Sequence, residues 1–328
     1  MAANEDRLLR WLRRRLDGGP EHPRPGDDGA VLPAGPESTV SVDSQIAGVH
    51  FPPDLDPRLL GQRLTAVNLS DLAAMGAEPR YAFVTVAAPR DFDHRRFFTG
   101  LLAACERYGL VLAGGDLAHQ PDRVITTMTV TGERRGKWLE RANGRAGDRL
   151  WLGGSVGESA LGRKLIETGG WLAPRSCRLP TDLQLSRSEA AAAKRAIRRH
   201  LQPTPQLDLG RALAAMPFPI AAIDLSDGLL LDLERLCRES RVGAEIDISR
   251  IPLAASSDRL AAKLDLDEVE LALGGGEDYV LLFTLPAGAT PPRKFRCSPI
   301  GRLIARRGLF RKGEKGPRPL TAVGWDHL

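Results

Sequence analysis

The sequence is poor in the features that mark membrane-spanning and secreted proteins. No apolar run comes near the roughly 18 residues of a membrane-spanning helix. Residues 1–16 contain no uninterrupted apolar region, so we expect no secretory signal. The four cysteines are scattered singly, without the spacing of a metal or redox site. The scattered cysteines favour a cytoplasmic protein. The lack of a long apolar run predicts that it has no membrane partner.

Aromatic residues are also scarce, at 5% of a chain whose net charge is +5. Proteins that bind single-stranded nucleic acids combine basic grooves with stacking aromatic side chains, whereas the arginine clusters here mostly lack them. One cluster, at residues 10–15, belongs to a predicted amphipathic helix. A substrate with many negative charges would also favour a basic surface. A basic nucleic-acid-binding protein therefore stays an alternative, but we expect no nucleic-acid partner.

Several common catalytic motifs are missing as well. There is no glycine loop ending in Gly-Lys-Ser/Thr, which excludes a P-loop kinase. The protein-kinase motif set is absent. No serine stands in a nucleophile-elbow context, so a Ser-His-Asp hydrolase is unsupported.

What the chain does contain is aspartate beside glycine, again and again. The segments are Gly26-Asp27-Asp28-Gly29, Gly114-Gly115-Asp116, Asp224-Leu225-Ser226-Asp227-Gly228 and Gly274-Gly275-Gly276-Glu277-Asp278. Asp43 and Asp71 also end apolar stretches. Glycine lets the backbone approach a ligand closely, and converging carboxylates need cations. Oxygen ligands without cysteine or histidine clusters indicate magnesium, and so many of them indicate bound phosphates.

Each of these segments also has an ordinary structural interpretation. Asp28 could belong to a common Asp-Gly turn. Asp227 or Ser226 could simply cap the helix that follows, although the positive end of that helix also suits a phosphate. Asp71 could be a structural helix carboxylate, and Asp116 could bind a metal beside phosphate-binding amides. Each segment alone is weak evidence, and their joint presence is strong evidence.

Strand and helix patterns alternate along the 328 residues, which predicts an α/β (α+β) protein. The predicted strands are 39–43, 81–87, 110–113, 124–131, 149–152, 220–224, 279–285 and 298–303. The predicted helices are 57–76, 93–108, 158–168, 187–200 and 228–239, with loops at 286–292 and 313–319. A polar, glycine-rich stretch at 136–148 predicts a domain boundary. We therefore expect a domain with a mixed sheet at 1–137 and a second α/β domain at 138–328.

The order of the motifs resembles the thiamine-monophosphate kinase family. The resemblance runs from about Gly26 to the closing Gly324-Trp325-Asp326, through Ala-Val-Asn-Leu-Ser-Asp-Leu-Ala-Ala-Met-Gly, Ile-Asp-Leu-Ser-Asp-Gly-Leu and Gly-Gly-Glu-Asp-Tyr. That family belongs to the superfamily of aminoimidazole ribonucleotide synthetase and selenophosphate synthetase. The resemblance implies a homodimer that forms through the sheet of the N-terminal domain. It places the active site in the cleft between the two domains, close to the dimer interface.

The resemblance also implies a role for individual residues. The implied magnesium ligands are Asp28, Ser41, Val42, Asp43, Asp71, Asp116, Asp224 and Asp227. The implied ATP contacts are Tyr108, Gly115, Asp116, Arg141 and Ser226, and the implied thiamine contacts are His50, Glu277 and Trp325. Val42 replaces the usual threonine, which leaves only its backbone carbonyl as a ligand. Leu117 and Ala118 replace two threonines, which changes the phosphate contacts expected there.

The implied activity is the phosphorylation of thiamine monophosphate by ATP, which gives thiamine diphosphate and ADP. This is the last step of thiamine diphosphate biosynthesis. We expect direct in-line transfer assisted by several magnesium ions, without a dedicated base, because the acceptor phosphate is already ionised. The alternative is another ATP-dependent synthetase of the superfamily. Selenophosphate synthetase is disfavoured, because residues 1–26 contain no cysteine nucleophile.

Overall fold

A computed structural model of the chain describes residues 30–32, 37–314 and 316–325. The predicted ligand Asp28, its motif at 26–29 and the predicted amphipathic helix with the arginines at 10–15 lie outside the described residues. Within the described residues no helix is long and apolar enough to cross a membrane.

The first part of the chain forms a five-stranded sheet in the order β1-β2-β5-β3-β4. Its elements, in chain order, are β1 (Ala30–Leu32), β2 (Ser38–Ile46), α1 (Pro57–Ala74), β3 (Glu78–Ala88), α2 (His94–Tyr108), β4 (Val111–His119) and β5 (Ile125–Glu133). Strands β1, β2, β5 and β3 pair antiparallel, and β4 joins the edge of β3 in parallel. The sheet is therefore mixed, as predicted.

One face of this sheet is covered by helix α1, which packs against β2, β5 and β3. Val84, Met128 and Val130 are buried on that covered face. Successive strand residues point to opposite sides, so Phe83 and Tyr81 lie on the other face, where 45% and 47% of their surface is exposed. We call this second surface the open face.

The second part of the chain forms a seven-stranded sheet in the order β14-β13-β10-β12-β6-β11-β9. The remaining elements are β6 (Arg149–Leu152), α3 (Glu158–Glu167), β7 (Trp171–Ala173), β8 (Ser176–Arg178), α4 (Arg187–Leu201), α5 (Leu207–Ala214), β9 (Ala222–Asp224), α6 (Leu229–Ser240), β10 (Gly243–Ile246), α7 (Ser257–Lys263), α8 (Glu268–Gly274), β11 (Leu281–Leu285), β12 (Ser298–Ile304), β13 (Gly308–Arg311) and β14 (Arg318–Leu320). Short 3-10 turns lie at Arg141–Asn143 and Ile248–Arg250.

Helix α1 connects the two sheets, because it also packs on α5 and β9. The contact with α5 is close: a Cβ atom at Gly210 would lie 2.1 Å from the backbone oxygen of Ala73. Only glycine allows this approach. The last turns of α1, which carry Asp71, are therefore fixed between the first sheet and the edge of the second.

Local sequence signals explain the boundaries of the helices beside the site. Asp56 caps α1 by accepting the backbone N–H of Arg58, and Pro57 occupies the first turn, as predicted. Helix α2 ends at Gly109, which has a left-handed φ of 67°. The end of α1 near Gly76 and the strand at 149–152 are also confirmed.

Other boundaries differ from the prediction. Strand β4 continues to His119, beyond the predicted end at 113, because it pairs along β3 as far as Ala88. Strand β14 begins at Arg318, inside the predicted loop 313–319, where it pairs with β13. Helix α5 and strand β10 are not among the predicted elements, although Leu209 and Leu213, four residues apart, have the spacing of an amphipathic helix. The predicted domain division at 137 and 138 stays a prediction.

Candidate active site

One cavity is lined by both parts of the chain and brings together most of the predicted site residues. Its walls come from β2, α1, the 3-10 turn at Arg141–Asn143, helix α3, the turn after β9, the loop after α8 and the C-terminal segment. The predicted residues in its lining are Ser41, Val42, Asp43, His50, Asp71, Arg141, Asp224, Ser226, Asp227, Glu277 and Trp325. Residues more than 280 positions apart in sequence thus share one site.

The wall contributed by the first sheet is organised by helix α1. Ser41 lies on the covered face of the sheet and donates a hydrogen bond to Oδ2 of Asp71. Asn68, one turn earlier on α1, accepts the backbone N–H of Asp43 at 3.1 Å and donates to Leu64 O at 2.9 Å. Asn68 is completely buried, so its amide fixes strand β2 to α1. Asp43 and Asp71 are held at the cavity by these contacts.

The opposite wall begins at Asp224, the last residue of β9, which is 2% exposed. Its Oδ2 accepts a hydrogen bond of 2.6 Å from the buried hydroxyl of Ser70 on α1. A buried carboxylate needs such partners. Asp224 is therefore positioned by a residue that neighbours Asp71 in sequence.

Asp227 does not cap the helix that follows it, so the prediction that it could do so is wrong. Helix α6 begins after Gly228 and has no side-chain cap. Instead Asp232, inside the helix, accepts the backbone N–H groups of Asp227 and Gly228 at 3.1 and 3.2 Å. Burial and the charge of Asp227 raise the pKa of Asp232 to about 7. Arg235 donates hydrogen bonds to Asp227 and Asp232.

Val42 also lines the cavity, but its side chain belongs to the open face, where 59% of its surface is exposed. Its neighbours Ser41 and Asp43 pair with Val130 and Met128, which are buried on the covered face. Alternation along β2 places Val42 on the other side. A ligand from this residue would therefore come from its backbone carbonyl, as expected for valine at this position.

Among the described residues, three predicted site residues do not line this cavity: Tyr108, Gly115 and Asp116. Tyr108 ends α2, and the other two lie on β4 at the edge of the sheet, where they line a separate groove. Gly115 is in the same row as Asp43, with β5 and β3 between them. Three strand spacings separate them by roughly 14 Å. Asp116 also lies inside a strand, so the prediction that it follows one is wrong.

In the described part of the chain, no three His, Cys, Asp or Glu side chains are close enough to hold one ion. The carboxylates of the cavity nevertheless suit magnesium better than they suit a metal ion whose ligands all come from the protein. Magnesium keeps several waters and takes only one or two carboxylates, with phosphate oxygens as further ligands. One or two carboxylates of the cavity, together with phosphate oxygens, would supply that donor set.

The predicted ATP contacts that reach the cavity are Arg141 and Ser226. Arg141 is in the 3-10 turn between the two sheets, and Ser240 of α6 donates a hydrogen bond to its backbone oxygen. Ser226 O accepts the backbone N–H of Glu277 at 2.6 Å. This contact ties the turn after β9 to the glycine-rich loop after α8.

The predicted thiamine contacts line the same cavity. Nδ1 of His50 accepts the backbone N–H of Ile46 at 3.1 Å, so in the neutral ring the proton is on Nε2. Trp325 is 41% exposed, and the guanidinium of Arg163 lies 5.6 Å from its ring centroid. The backbone N–H of Trp325 donates to Asp227 O at 2.9 Å, which ties the C-terminal segment to the turn after β9.

Glu277 has partners that sequence reasoning missed. Arg63 of α1, which is completely buried, donates to its Oε1, and Nδ1 of His200 lies 3.1 Å from its Oε2. Burial alone would raise the pKa of Glu277, but the charge of Arg63 and the contact with His200 lower it to about 2. The carboxylate is therefore ionised at neutral pH. One signal was available: an arginine within the apolar run of α1 needs a buried acceptor.

Known proteins resemble the chain over most of its length. The family AIR synthase related protein, N-terminal domain, matches residues 26–133. Thiamine-monophosphate kinase of Escherichia coli strain K12 is 35% identical over 322 residues, which cover 92% of this chain and 91% of that protein. The chain belongs to the thiamine-monophosphate kinase family. Its mixed α/β fold is the fold of that family.

Other members are similar over most of their length. Thiamine-monophosphate kinase of Aquifex aeolicus is 30% identical over 307 residues, 92% of each chain. The solved structure of AaThiL complexed with AMPPCP and TMP matches 99% of this chain and 97% of that one, with a TM-score of 0.84 and 27% identity. The thiamine-monophosphate kinase structure from Stenotrophomonas maltophilia has a TM-score of 0.74 at 30% identity and covers 94% and 96% of the two chains.

Proposed function

We propose that the protein transfers the γ-phosphoryl group of ATP to thiamine monophosphate and forms thiamine diphosphate and ADP. One observation carries this proposal: a single cavity holds aspartates from both sheets beside Glu277, His50 and Trp325. The aspartates suit the cations of two phosphorylated reactants, and the other three suit a cationic heterocycle. The relatives support this proposal. They include thiamine-monophosphate kinases, and AaThiL was solved with AMPPCP, an ATP analogue, and with TMP.

Magnesium fits the carboxylates of the cavity, and Asp43, Asp71, Asp224 and Asp227 would hold it together with phosphate oxygens. When bound, it supplies positive charge that neutralises the phosphates during transfer. Ser41 and Ser70 fix the orientation of Asp71 and Asp224 through their hydroxyls. These two carboxylates are therefore oriented before a reactant binds.

The rest of the reaction needs positioning more than proton transfer. Arg141 supplies a fixed positive charge for a phosphate at the cavity wall. The N-terminus of α6, after Gly228, adds the positive end of a helix dipole. The acceptor is a phosphate oxygen that is already ionised near neutral pH, so no side chain has to remove a proton. In-line transfer then depends on how these groups align the two phosphates.

We propose further that the protein is a homodimer formed through the open face of the first sheet. Exposed apolar side chains collect there: Val42 on β2, and Tyr81 and Phe83 on β3. An exposed apolar patch on a sheet marks an interaction surface. Asp116 is on the same face, because it pairs with Thr85, two residues from Phe83. Pairing of two open faces would turn Asp116 toward the partner and give it a route to the partner's cavity.

The oligomeric state can be measured by size-exclusion chromatography with light scattering. We expect a mass of twice the 35.6 kDa of one chain, and we expect Phe83→Glu to reduce it to one chain. Leu102→Glu is the matched control, since Leu102 is also half exposed but belongs to α2. A dimer that survives Phe83→Glu would contradict the proposed interface.

The activity itself is tested by incubation with ATP, magnesium chloride and thiamine monophosphate, with separation of the products by chromatography. Thiamine diphosphate and ADP should appear in equal amounts, and EDTA should stop their formation. Release of ADP without thiamine diphosphate would favour another ATP-dependent synthetase of the superfamily. No ADP under any of these conditions would overturn the proposal.

A further inference from the structure

A network of buried polar side chains ends at the cavity, and the proposed phosphoryl transfer gives no role to it. Arg63 is 0% exposed and lies on α1, between the two sheets. Its Nε donates to Gln45 Oε1 at 2.9 Å, and its terminal nitrogens donate to the backbone oxygen of His200 and to Oε1 of Glu277. One guanidinium thus joins β2, α4 and the loop after α8.

The second oxygen of Glu277 belongs to the same network. His200, which is 4% exposed, places Nδ1 at 3.1 Å from Oε2 of Glu277 and at 3.2 Å from the hydroxyl of Ser159. Burial lowers the pKa of His200, so the ring is neutral and donates a hydrogen bond. Neither Arg63 nor His200 lines the cavity, whereas Glu277 does.

The backbone around Glu277 is unusual as well. Glu277 and Tyr279 both have left-handed φ angles, 57° and 48°, although neither is glycine. Such conformations are strained for any residue except glycine and persist only where surrounding contacts impose them. The loop therefore needs outside support to present the carboxylate, and the contacts from Arg63 and His200 supply it.

We propose that Arg63 and His200 are positioning residues for the acceptor: they fix the two oxygens of Glu277 so that its carboxylate can receive the nitrogen-bearing heterocycle of the substrate. This inference rests on the proposed function. An ionised carboxylate has about four acceptor positions. Arg63 and His200 use one on each oxygen, which leaves others for N–H groups of a ligand. The orientation is set before binding, so little entropy is lost when the ligand arrives.

The first test replaces the forked guanidinium of Arg63 with the single ammonium group of lysine. Arg63→Lys keeps the positive charge but cannot hold Gln45, His200 and Glu277 at once. We expect KM for thiamine monophosphate to rise roughly tenfold to a hundredfold, the range for losing a hydrogen bond to a charged group. KM for ATP should stay within twofold. Arg96→Lys is the control, since Arg96 pairs with Asp56 outside the cavity.

A double-mutant cycle separates positioning from general support of the fold. If Arg63 acts through the carboxylate, Arg63→Lys should raise the acceptor KM much less in a Glu277→Gln background than in the native one. Effects that multiply, or a KM for ATP that rises equally, would overturn the proposal. Thermal unfolding of each variant shows which ones are folded.

A second variant covers the case in which Arg63→Lys does not fold. His200→Phe keeps the volume of a buried ring and removes the donor to Glu277. The same selective rise in the acceptor KM is expected, and an unchanged KM in a folded His200→Phe protein would contradict the proposal. The native protein distinguishes the two levels of inference. If it makes no thiamine diphosphate, the proposed function fails; if it does and the variants behave like it, only the positioning role fails.

Discussion

The hydroxyl of Ser70, in the fourth turn of α1, donates a hydrogen bond of 2.6 Å to Oδ2 of Asp224 at the end of β9. Ser70 is 0% and Asp224 is 2% exposed. Because the next residue, Asp71, belongs to the opposite wall of the cavity, one short segment of helix sets the relative position of two carboxylates. The geometry of the proposed magnesium site therefore depends on a serine that binds no metal.

Ser70→Ala should reveal this dependence. Losing a buried hydrogen bond to a charged group should lower the free energy of unfolding by about 1.5–3 kcal/mol, as measured by denaturant titration. The magnesium concentration for half-maximal activity should also rise, because Asp224 is no longer oriented. Thr65→Val is the matched control: Thr65 is buried on the same helix, but its hydroxyl donates to Gly61 O within the helix. An unchanged magnesium dependence in Ser70→Ala would count against the orienting role.

Asp71→Asn removes one charge from the cavity while it keeps the size of the side chain. Turnover should fall by at least a hundredfold, a typical result of removing one electrostatic group from a transfer site. Isothermal titration should show that magnesium no longer strengthens nucleotide binding. The thermal midpoint should change little, because Ser41 can still donate to the amide oxygen.

Asp93→Asn is the control for this change, since Asp93 caps α2, does not line the cavity, and asparagine caps equally well. Full activity of Asp71→Asn would remove Asp71 from the proposed metal site. Loss of activity in both variants would show that the assay reports general damage.

Trp325→Ala should affect the acceptor and not the nucleotide. An exposed cation–π contact is worth about 0.5–1 kcal/mol, so KM for thiamine monophosphate should rise about two- to fivefold. Trp325→Phe keeps an aromatic face and should lie between the native protein and the alanine variant. Initial rates at varied concentrations of each substrate give both constants. Equal constants for the native and alanine proteins would place Trp325 outside the acceptor site.

The local parts of this structure could be predicted from the sequence. Asp56 and Pro57 fix the start of α1, and Gly109 fixes the end of α2, because caps depend on residues next to each other. The repeated Asp-Gly segments indicated carboxylates at the ends of elements. The cavity contains Asp43, Asp71, Asp224 and Asp227, but their roles as ligands stay predictions.

The rest depends on contacts between distant residues. Arg63 and Glu277 are 214 positions apart, and nothing near either one indicates the other. The length of β4 depends on its pairing with β3, so the sequence pattern predicts a strand that ends at 113, before Asp116. Residues at 26–29 lie outside the described part of the chain, so the prediction for Asp28 stays untested by the fold.

The stability of the fold should also depend on pH through Asp278. This buried carboxylate accepts the backbone N–H groups of Gly157 and Ser159, at 2.7 and 3.2 Å, at the start of α3. Burial, which outweighs the charge of Arg199 and these hydrogen bonds, raises the pKa of Asp278 from 3.8 to about 6. The folded state therefore binds this proton more tightly than the unfolded state does. The resulting stabilisation is complete below pH 3.8 and is lost as the pH rises through 6.

Asp278→Asn removes this titration, so the difference between the native protein and the variant isolates it from all other groups. Between pH 4 and 6 the native protein should lose up to about 3 kcal/mol of unfolding free energy relative to Asp278→Asn, since each pKa unit corresponds to about 1.4 kcal/mol. Above pH 7 the difference should be constant. Denaturant titrations of both proteins at half-unit pH intervals give the curve. A difference that is flat from pH 4 to 6 would mean that Asp278 is already ionised in the folded protein, and that the two amides at the start of α3 outweigh its burial.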